Sequence, residues 1–351
     1  MTAPQFSQQE LRQSAVFGLT LLYHRSYSMT QNCSLQFGAA THIGTMMHLI
    51  LTTCTNRKRY DHSPALSARA LPCGSLQDVS EEWKARVLAA PQVASAGDLY
   101  CGRSFSEATA AAGEIGAQLF IASAGLGFLT PQQPVPSYNL TVSRGTQDCI
   151  LDRITPSASE AEWWGTLVDQ NVIRRTLRSA DGLILIAVGK AYLKMLVPIL
   201  SDLPQETIDR LRIFVGPDVS MLPARLMAQT LPYDDRLDGP DSPLRGTRID
   251  FVSRALHHFT KTVMDQHPTA PVAKQAKHVE ELSRLWGRPN VRPGARCSDA
   301  EIKALLRQHW ERTGGLSTKL LRFLRDELAV ACEQKRFSRL ASEVRNEEMS
   351  R

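Results

Sequence analysis

Four short apolar runs punctuate the middle of the chain. His48–Thr53 (HLILTT), Gln118–Ser123 (QLFIAS), Gly182–Val188 (GLILIAV) and Leu211–Val215 (LRIFV) are rich in Leu, Ile and Val. Continuous runs of this length, without strict alternation, predict strands buried on both faces. Helical patterns separate them. Ser106–Gly116 is rich in Ala and Glu. Ala161–Ser179 opens on acids and closes on Arg174, Arg175 and Arg178, the order a helix dipole favours. Lys190–Leu200 is amphipathic until Pro198 interrupts it. The alternation predicts an α/β fold with a mixed or largely parallel sheet and flanking helices.

The end of the chain reads differently, as a small all-α C-terminal module. Ser298-Asp-Ala-Glu301 is a capping box, followed at helical spacing by Ile302, Leu305, Leu306, His309 and Trp310. Gly314-Gly315 is a stop signal. Ser317 or Thr318 can cap a second helix carrying Leu320, Leu321, Phe323, Leu324 and Leu328. A third is expected from near Ala331, with Phe337, Leu340 and Val344 inward. Three short helices around a Gly turn suit a helix-turn-helix unit over 298–346. The third helix would present Gln334, Lys335, Arg336, Ser338 and Arg339 outward, a mix suited to phosphates and base edges. The alternative is a plain helical bundle that docks on the α/β domain.

The polar, turn-rich Asp234–Gly246 segment marks a domain boundary. The expected organisation is a poorly ordered extension over 1–46, an α/β domain over 47–252 and a basic helical module over 253–351. The first 45 residues hold few charges and make a poor signal peptide, and translation starting at Met46 or Met47 would place the first strand at the native N-terminus.

Charge sharpens this division. The chain carries +6 in 351 residues, yet residues 253–351 hold 19 Lys/Arg against 12 Asp/Glu, while residues 1–252 hold 22 against 23. The whole basic excess therefore lies in the last hundred residues. That asymmetry points to a polyanion, for which the helix-turn-helix pattern favours DNA over RNA, and competes with the reading of an ordinary solvated surface. With 43% hydrophobic and 22% charged residues the chain is neither disordered nor membrane-spanning, since no apolar run reaches the roughly 18–20 residues of a span. Seven cysteines, none in a C-x-x-C pair, argue against a disulfide scaffold or zinc ribbon and for a reducing cytoplasm.

No familiar catalytic signature is present: no Walker A, no H-E-x-x-H, no paired zinc ligands, and hence no metal or cofactor is expected. Gly125-Leu-Gly127 follows a strand as a dinucleotide loop would, but Pro131, Pro134 and Pro136 forbid the helix that such a loop needs. Three loops remain. Thr52-Thr53-Cys54-Thr55-Asn56-Arg57-Lys58-Arg59 puts hydroxyls, a thiol and three cations behind a buried strand. Thr53, Thr55, Asn56 and Lys58 could bind an anion, and the cations could activate Cys54 as a nucleophile. Gly97-Asp98-Leu99-Tyr100-Cys101-Gly102-Arg103 offers Asp98 as a catalytic base and Tyr100, Gly102 and Arg103 as ligand contacts. Ser123-Ala-Gly125-Leu-Gly127, running on to Tyr138, lets backbone approach a ligand closely. The first could equally be a solvated basic turn with a packed Cys, and the other two tight structural turns. His257 and His258 read as packing or surface residues, and Trp163-Trp164 as either a packed helix face or a partner surface.

Thr53-Cys54-Thr55-Asn56-Arg57-Lys58, Gly97-Asp98-Leu99-Tyr100-Cys101-Gly102 and Ser123 to Pro131 with Tyr138, in that order, resemble the YaaA-like family, known for peroxide-stress resistance. Phe251-Val-Ser-Arg-Ala255 is similar to its later aromatic-basic segment. The resemblance covers about residues 47–260. Cys54 stands where alanine is usual, the second half is shorter, and the C-terminal helices have no counterpart there. The first loop is also distantly similar to the archaeosine-synthase core, which works on deazapurines in RNA. The resemblance implies an α/β domain with a basic cleft and DNA-binding ability.

The expected function is therefore a nucleic-acid-associated protein of a stress or defence response. It would bind DNA through the helical module and hold a nucleotide or base in the α/β cleft. The alternative is an enzyme acting on a nucleobase or nucleotide through the Cys54 and Asp98 loops. An interaction subunit of a multi-gene defence system is the third option.

Overall fold

A computed structural model describes residues 46–216, 218–289, 294–313 and 317–349. The extension read over 1–46 lies, save for Met46, outside them, as do Gly314 and Gly315.

All four apolar runs are strands of one five-stranded sheet. They are β1 (Leu49–Thr53), β3 (Gln118–Ser123), β6 (Ile184–Ala187) and β7 (Leu211–Phe214). The fifth strand, β4 (Gly127–Leu129), is the return arm of a hairpin on β3. Two short strands, β2 (Ala94–Ser95) and β5 (Pro134–Val135), pair with each other outside the sheet. The sheet order is β4-β3-β1-β6-β7. β1 runs parallel to both neighbours, with Leu51 opposite Phe120 on one side and Ile186 on the other. Only β4 is antiparallel. The fold is thus the expected α/β arrangement. Leu49, Ile50, Leu51, Ile184, Leu185 and Ile186 are all buried, because helices cover both faces.

The topology fixes where a site belongs. From β1 the chain passes to β3 on one side, then crosses back to β6 on the other. That reversal puts a switch point at the carboxyl ends of β1 and β6, the place where doubly wound sheets bind ligands.

The flanking helices are α1 (Leu76–Ala89), the one-turn α2 (Ala96–Leu99), α3 (Arg103–Ile115), α4 (Glu160–Gly165), α5 (Gln170–Ser179) and α6 (Lys190–Ser201). Two differ from the sequence pattern. The single helix expected over 161–179 is two, because two caps compete: Ser159 and Glu162 form a capping box, and the Asp169 side chain accepts from the Asn171 amide. Conversely, α6 runs through Pro198, since Tyr192, Leu193, Met195, Leu196, Ile199 and Leu200 all bury against the sheet.

The boundary expected at 252/253 is overturned. α7 (Phe251–His258), a π-helical turn at Phe259–Val263 and α8 (Val272–Ser283) pack in the same core as Leu185 and Phe214 of the sheet. The polar 234–246 loop is no linker either. Arg254, fully buried on α7, bonds the Asp250 and Asp238 carboxylates and the Leu237, Leu244 and Thr247 carbonyls. A guanidinium has enough donors to tie five acceptors, so one side chain pins this turn-rich segment to the body.

A separate core begins after residue 294. Ile302, Leu306, Leu320, Leu324, Phe337, Leu340 and Val344 close it. The helices are α9 (Asp299–His309), α10 (Ser317–Asp326) and α11 (Gln334–Met349), with a two-residue parallel pair, β8 (Ala295–Arg296) and β9 (Val330–Ala331), that the pattern did not signal. The Ser298–Glu301 capping box is formed as read.

Candidate functional site

The first two loops meet at the end of β1. The chain after Cys54 runs antiparallel to 99–101: Arg59 N donates to Leu99 O at 3.0 Å, Cys101 N donates to Arg57 O at 3.3 Å, and Lys58 pairs with Tyr100. Thr55 serves this turn, its hydroxyl reaching Arg57 O at 2.7 Å and Cys101 O at 2.9 Å. Thr55 and Thr53 are half-buried and Asn56 is exposed.

Behind the turn lies a connected set of buried polar groups. The Tyr100 hydroxyl donates to Ser123 Oγ at 3.3 Å and lies 3.0 Å from the Tyr138 hydroxyl; Ser123 Oγ is 2.7 Å from the latter. Cys54 Sγ stands 3.2 Å from the hydroxyl of Tyr192, on the first turn of α6. Lys58 Nζ lies 4.3 Å from the Tyr138 ring centroid and donates to Thr55 O at 3.1 Å. Four segments, at the ends of β1, β3 and β6 and in the loop before α3, thus converge at the switch point of the sheet. The connection through Tyr138 adds a fifth.

The electrostatics follow from burial. Desolvation pushes the Tyr100, Tyr138 and Tyr192 phenols up, and the adjacent Cys54 adds to it, so all three stay protonated as donors. Desolvation lowers the Lys58 ammonium, opposed in part by Cys54, Cys101 and Asp148. A cation held over a phenol face beside a thiol can stabilise a thiolate or an anionic substrate group.

The third loop is held by three indoles. Trp164, Trp163 and Trp83 Nε1 donate to the successive carbonyls of Ser123, Ala124 and Gly125 at 2.9, 2.8 and 2.7 Å. The Trp163-Trp164 pair is therefore buried packing with a specific polar task. Gly125 is required by close approach: a Cβ there would sit 2.6 Å from Tyr138 Cε2. Gly127 takes φ +81° at the hairpin, where a side chain would also strike Val168.

Several expected site residues lie elsewhere. Asp98 is exposed, and its carboxylate accepts from Ser95 Oγ at 2.7 Å while its amide donates to that hydroxyl. It is the first-turn partner of the Ser95 cap of α2 and does not enter the cluster, which removes its expected role as base. Gly102 is the residue that opens α3. Arg103 faces Glu107 at 3.0 Å and Asp250 at 4.0 Å rather than the cluster. In the C-terminal module Arg336 bonds Asp299 and Cys297 O, and Arg339 bonds Asp299 and Glu343. Two of the expected DNA contacts are thereby engaged within the module. Gln334 begins α11, and the Lys335 side chain lies outside the described ones. His257 and His258 are packing residues: His257 bridges Glu107 and Glu114, while buried His258 meets the Tyr233 hydroxyl at 2.8 Å and is pushed down to about 4, by burial first and then by His278 and His257.

Tyr192, Trp83 and the pinned carbonyls were not read from the sequence. The one available signal for Tyr192 was its place on the first helical turn after the clearest buried strand. Among the described residues no three His, Cys, Asp or Glu side chains gather to hold a metal ion, no helix is long and apolar enough to cross a membrane, and Cys54, Cys73, Cys101, Cys149, Cys297 and Cys332 are free thiols.

Residues 88–213 match the model of a family of unknown function, DUF6884. That stretch contains Tyr100, Ser123, Tyr138, Trp163, Trp164 and Tyr192, and stops short of Cys54 and Lys58. No curated protein matches the chain.

Proposed function

We propose that this chain is an enzyme acting on a nucleobase or nucleotide, with Cys54 as nucleophile and Lys58 as the cation that steadies the thiolate or an anionic substrate group. The observation that carries this reading is the convergence of Cys54, Lys58, Tyr100, Ser123, Tyr138 and Tyr192 at the sheet's switch point. Neutral phenols can donate to ring carbonyls and nitrogens, and aromatic faces suit a planar ligand. The motifs that resemble the YaaA-like family are those that meet here, and kinship with that family is part of the proposal, as is a reducing cytoplasm that keeps the thiols free. The test is thermal unfolding of the full chain with free nucleobases, nucleosides and nucleotides. At 100 times its Kd a ligand stabilises by about 2.7 kcal/mol. One of the three classes should raise the melting temperature of the wild type, and Lys58→Met should abolish the rise. If no class raises it, or if the rise survives Lys58→Met, the reading is wrong.

A second reading concerns nucleic acid in a stress or defence setting, and one observation redirects it. With Arg336 and Arg339 engaged, exposed cations remain on α10: Lys319 and Arg322 carry no ion pair among the described residues. We infer that α10 rather than α11 meets DNA phosphates. Each phosphate contact adds about −0.9 to the slope of log K against log salt. Duplex DNA binding should lose about two such units in Lys319→Ala/Arg322→Ala and keep its slope in Gln334→Ala. An unchanged slope in the double variant would move the contact elsewhere.

A further inference from the structure

The backbone beside Cys54 carries donors that the protein leaves unused. Ala124 and Gly125 are buried, and among the described residues neither amide has a hydrogen-bond acceptor, whereas the next amide, Leu126, donates to Ser123 Oγ at 2.9 Å. Buried unpaired amides are rare in folded proteins, because each costs free energy comparable to a lost hydrogen bond.

Their direction follows from the ladder. Cys54 N donates to Ala122 O at 3.1 Å, so Ala122 turns its carbonyl toward β1. Ser123 is of the opposite parity and pairs with Gly127 on the β4 side, where its carbonyl also accepts from Trp164. Across a planar trans peptide the carbonyl and the following N–H point in opposite directions. The Ala124 N–H therefore points to the β1 side. β1 has ended by that level, and Cys54 occupies its carboxyl end. The three indoles hold the carbonyls of 123–125 and so hold this orientation before any ligand arrives. Pre-set donors beside a nucleophile stabilise charge that develops only during attack.

We propose that the Ala124 N–H receives the oxyanion formed when Cys54 attacks a carbonyl carbon. This rests on the reading of Cys54 as nucleophile and narrows its substrate to carbonyl-bearing compounds, among nucleobases the oxopurines and oxopyrimidines. The thiol first loses its proton to solvent. The thiolate sulfur then forms a bond to the carbonyl carbon, and the C=O π pair moves to oxygen, which accepts the Ala124 N–H. Collapse restores C=O and breaks the bond to the leaving group, which departs with that electron pair.

Two reagents separate this donor from plain thiol reactivity. Acetylation by p-nitrophenyl acetate passes through an oxyanion and expels p-nitrophenolate. Alkylation by iodoacetamide displaces iodide at a saturated carbon and forms none. Both rates are measured on the full chain, by mass spectrometry of the Cys54 peptide, with the exposed Cys73 of the same chain as internal reference. The ratio of acetylation to alkylation should be at least about a hundredfold higher at Cys54 than at Cys73, the lower end of what one such donor provides. Replacing the Ala124 amide by an ester, with lactic acid in place of Ala124, should slow acetylation of Cys54 by a similar factor and leave its alkylation unchanged. Equal ratios at the two cysteines overturn the proposal without any variant, as does an ester that slows both reactions alike. The alkylation arm speaks to the underlying reading: a Cys54 that reacts with neither reagent overturns both that reading and this one, whereas a Cys54 that alkylates without preference for the acyl reagent overturns this one alone.

Discussion

Arg254→Met is expected to lower the unfolding free energy by about 3–5 kcal/mol, the cost of breaking a buried ion pair from one side. Arg254 has no exposed side-chain surface and spans two carboxylates and three carbonyls. Methionine keeps much of the stem's volume and supplies no donor. The Asp250 carboxylate, on a side chain only 8% exposed, then loses its 2.6 Å partner, and the Leu237, Leu244 and Thr247 carbonyls lose theirs. The buried carboxylate that loses its guanidinium is the largest of these penalties, and Arg103 at 4.0 Å with the Thr247 amide at 2.8 Å offsets only part of it. Urea unfolding measures the loss as a shift in midpoint at constant slope. Arg254→Lys should fall between the two, because an ammonium restores charge without the planar fork. A methionine variant within about 1 kcal/mol of wild type would mean that the 234–250 segment is held by apolar packing instead.

Trp164 gives a second large effect and divides it into parts. Trp164→Ala should cost about 3–5 kcal/mol, because a fully buried indole leaves a cavity its neighbours cannot fill. Trp164→Phe retains much of that packing and removes the donor to Ser123 O. The stranded carbonyl should cost about 1–3 kcal/mol. The difference between the variants, read by the same urea titration, separates packing from hydrogen bonding. Equal losses in both would mean the indole N–H carries the whole contribution, and no loss in the phenylalanine variant would show that Ser123 O finds another donor. Trp163, which holds the Ala124 carbonyl in the same way, should behave alike.

Legibility tracked the range of the interaction. The four sheet strands were readable because burial on both faces demands continuous apolar runs, and Ser298–Glu301 because a capping box is completed within four residues. Local chemistry also explains the split at 166–169, where Ser159 and Asp169 each open a helix; the long amphipathic pattern masked the second cap. The boundary at 252/253 was misplaced for the opposite reason. A run of Asp, Gly and Pro looks the same whether it links domains or is fastened to one, and the fastening is done by Arg254, outside the run.

The candidate site divides in the same way. Cys54, Lys58, Tyr100, Ser123 and Tyr138 stood out because small, hydroxyl-bearing and cationic residues behind strand ends are visible along the chain. Asp98 stands out equally, yet it serves a helix cap. An Asp three residues after a Ser can close a cap as well as serve a site, and here Ser95 claims it. Arg336 and Arg339 read as free cations, since their partners Asp299 and Glu343 include one on another helix, about forty positions away.

By itself, then, the amino-acid sequence determined the α/β class, the strands, the C-terminal helices and most of the polar residues of the site, since each depends on periodicity or composition within a few residues. Only the tertiary structure decided the strand order that creates the switch point, the arrival of Tyr192 beside Cys54, the indoles on three consecutive carbonyls and the ion pairs that engage Arg336 and Arg339. Those depend on which distant segments become neighbours, which is set by the burial of whole faces and leaves no local trace in the residues that finally touch.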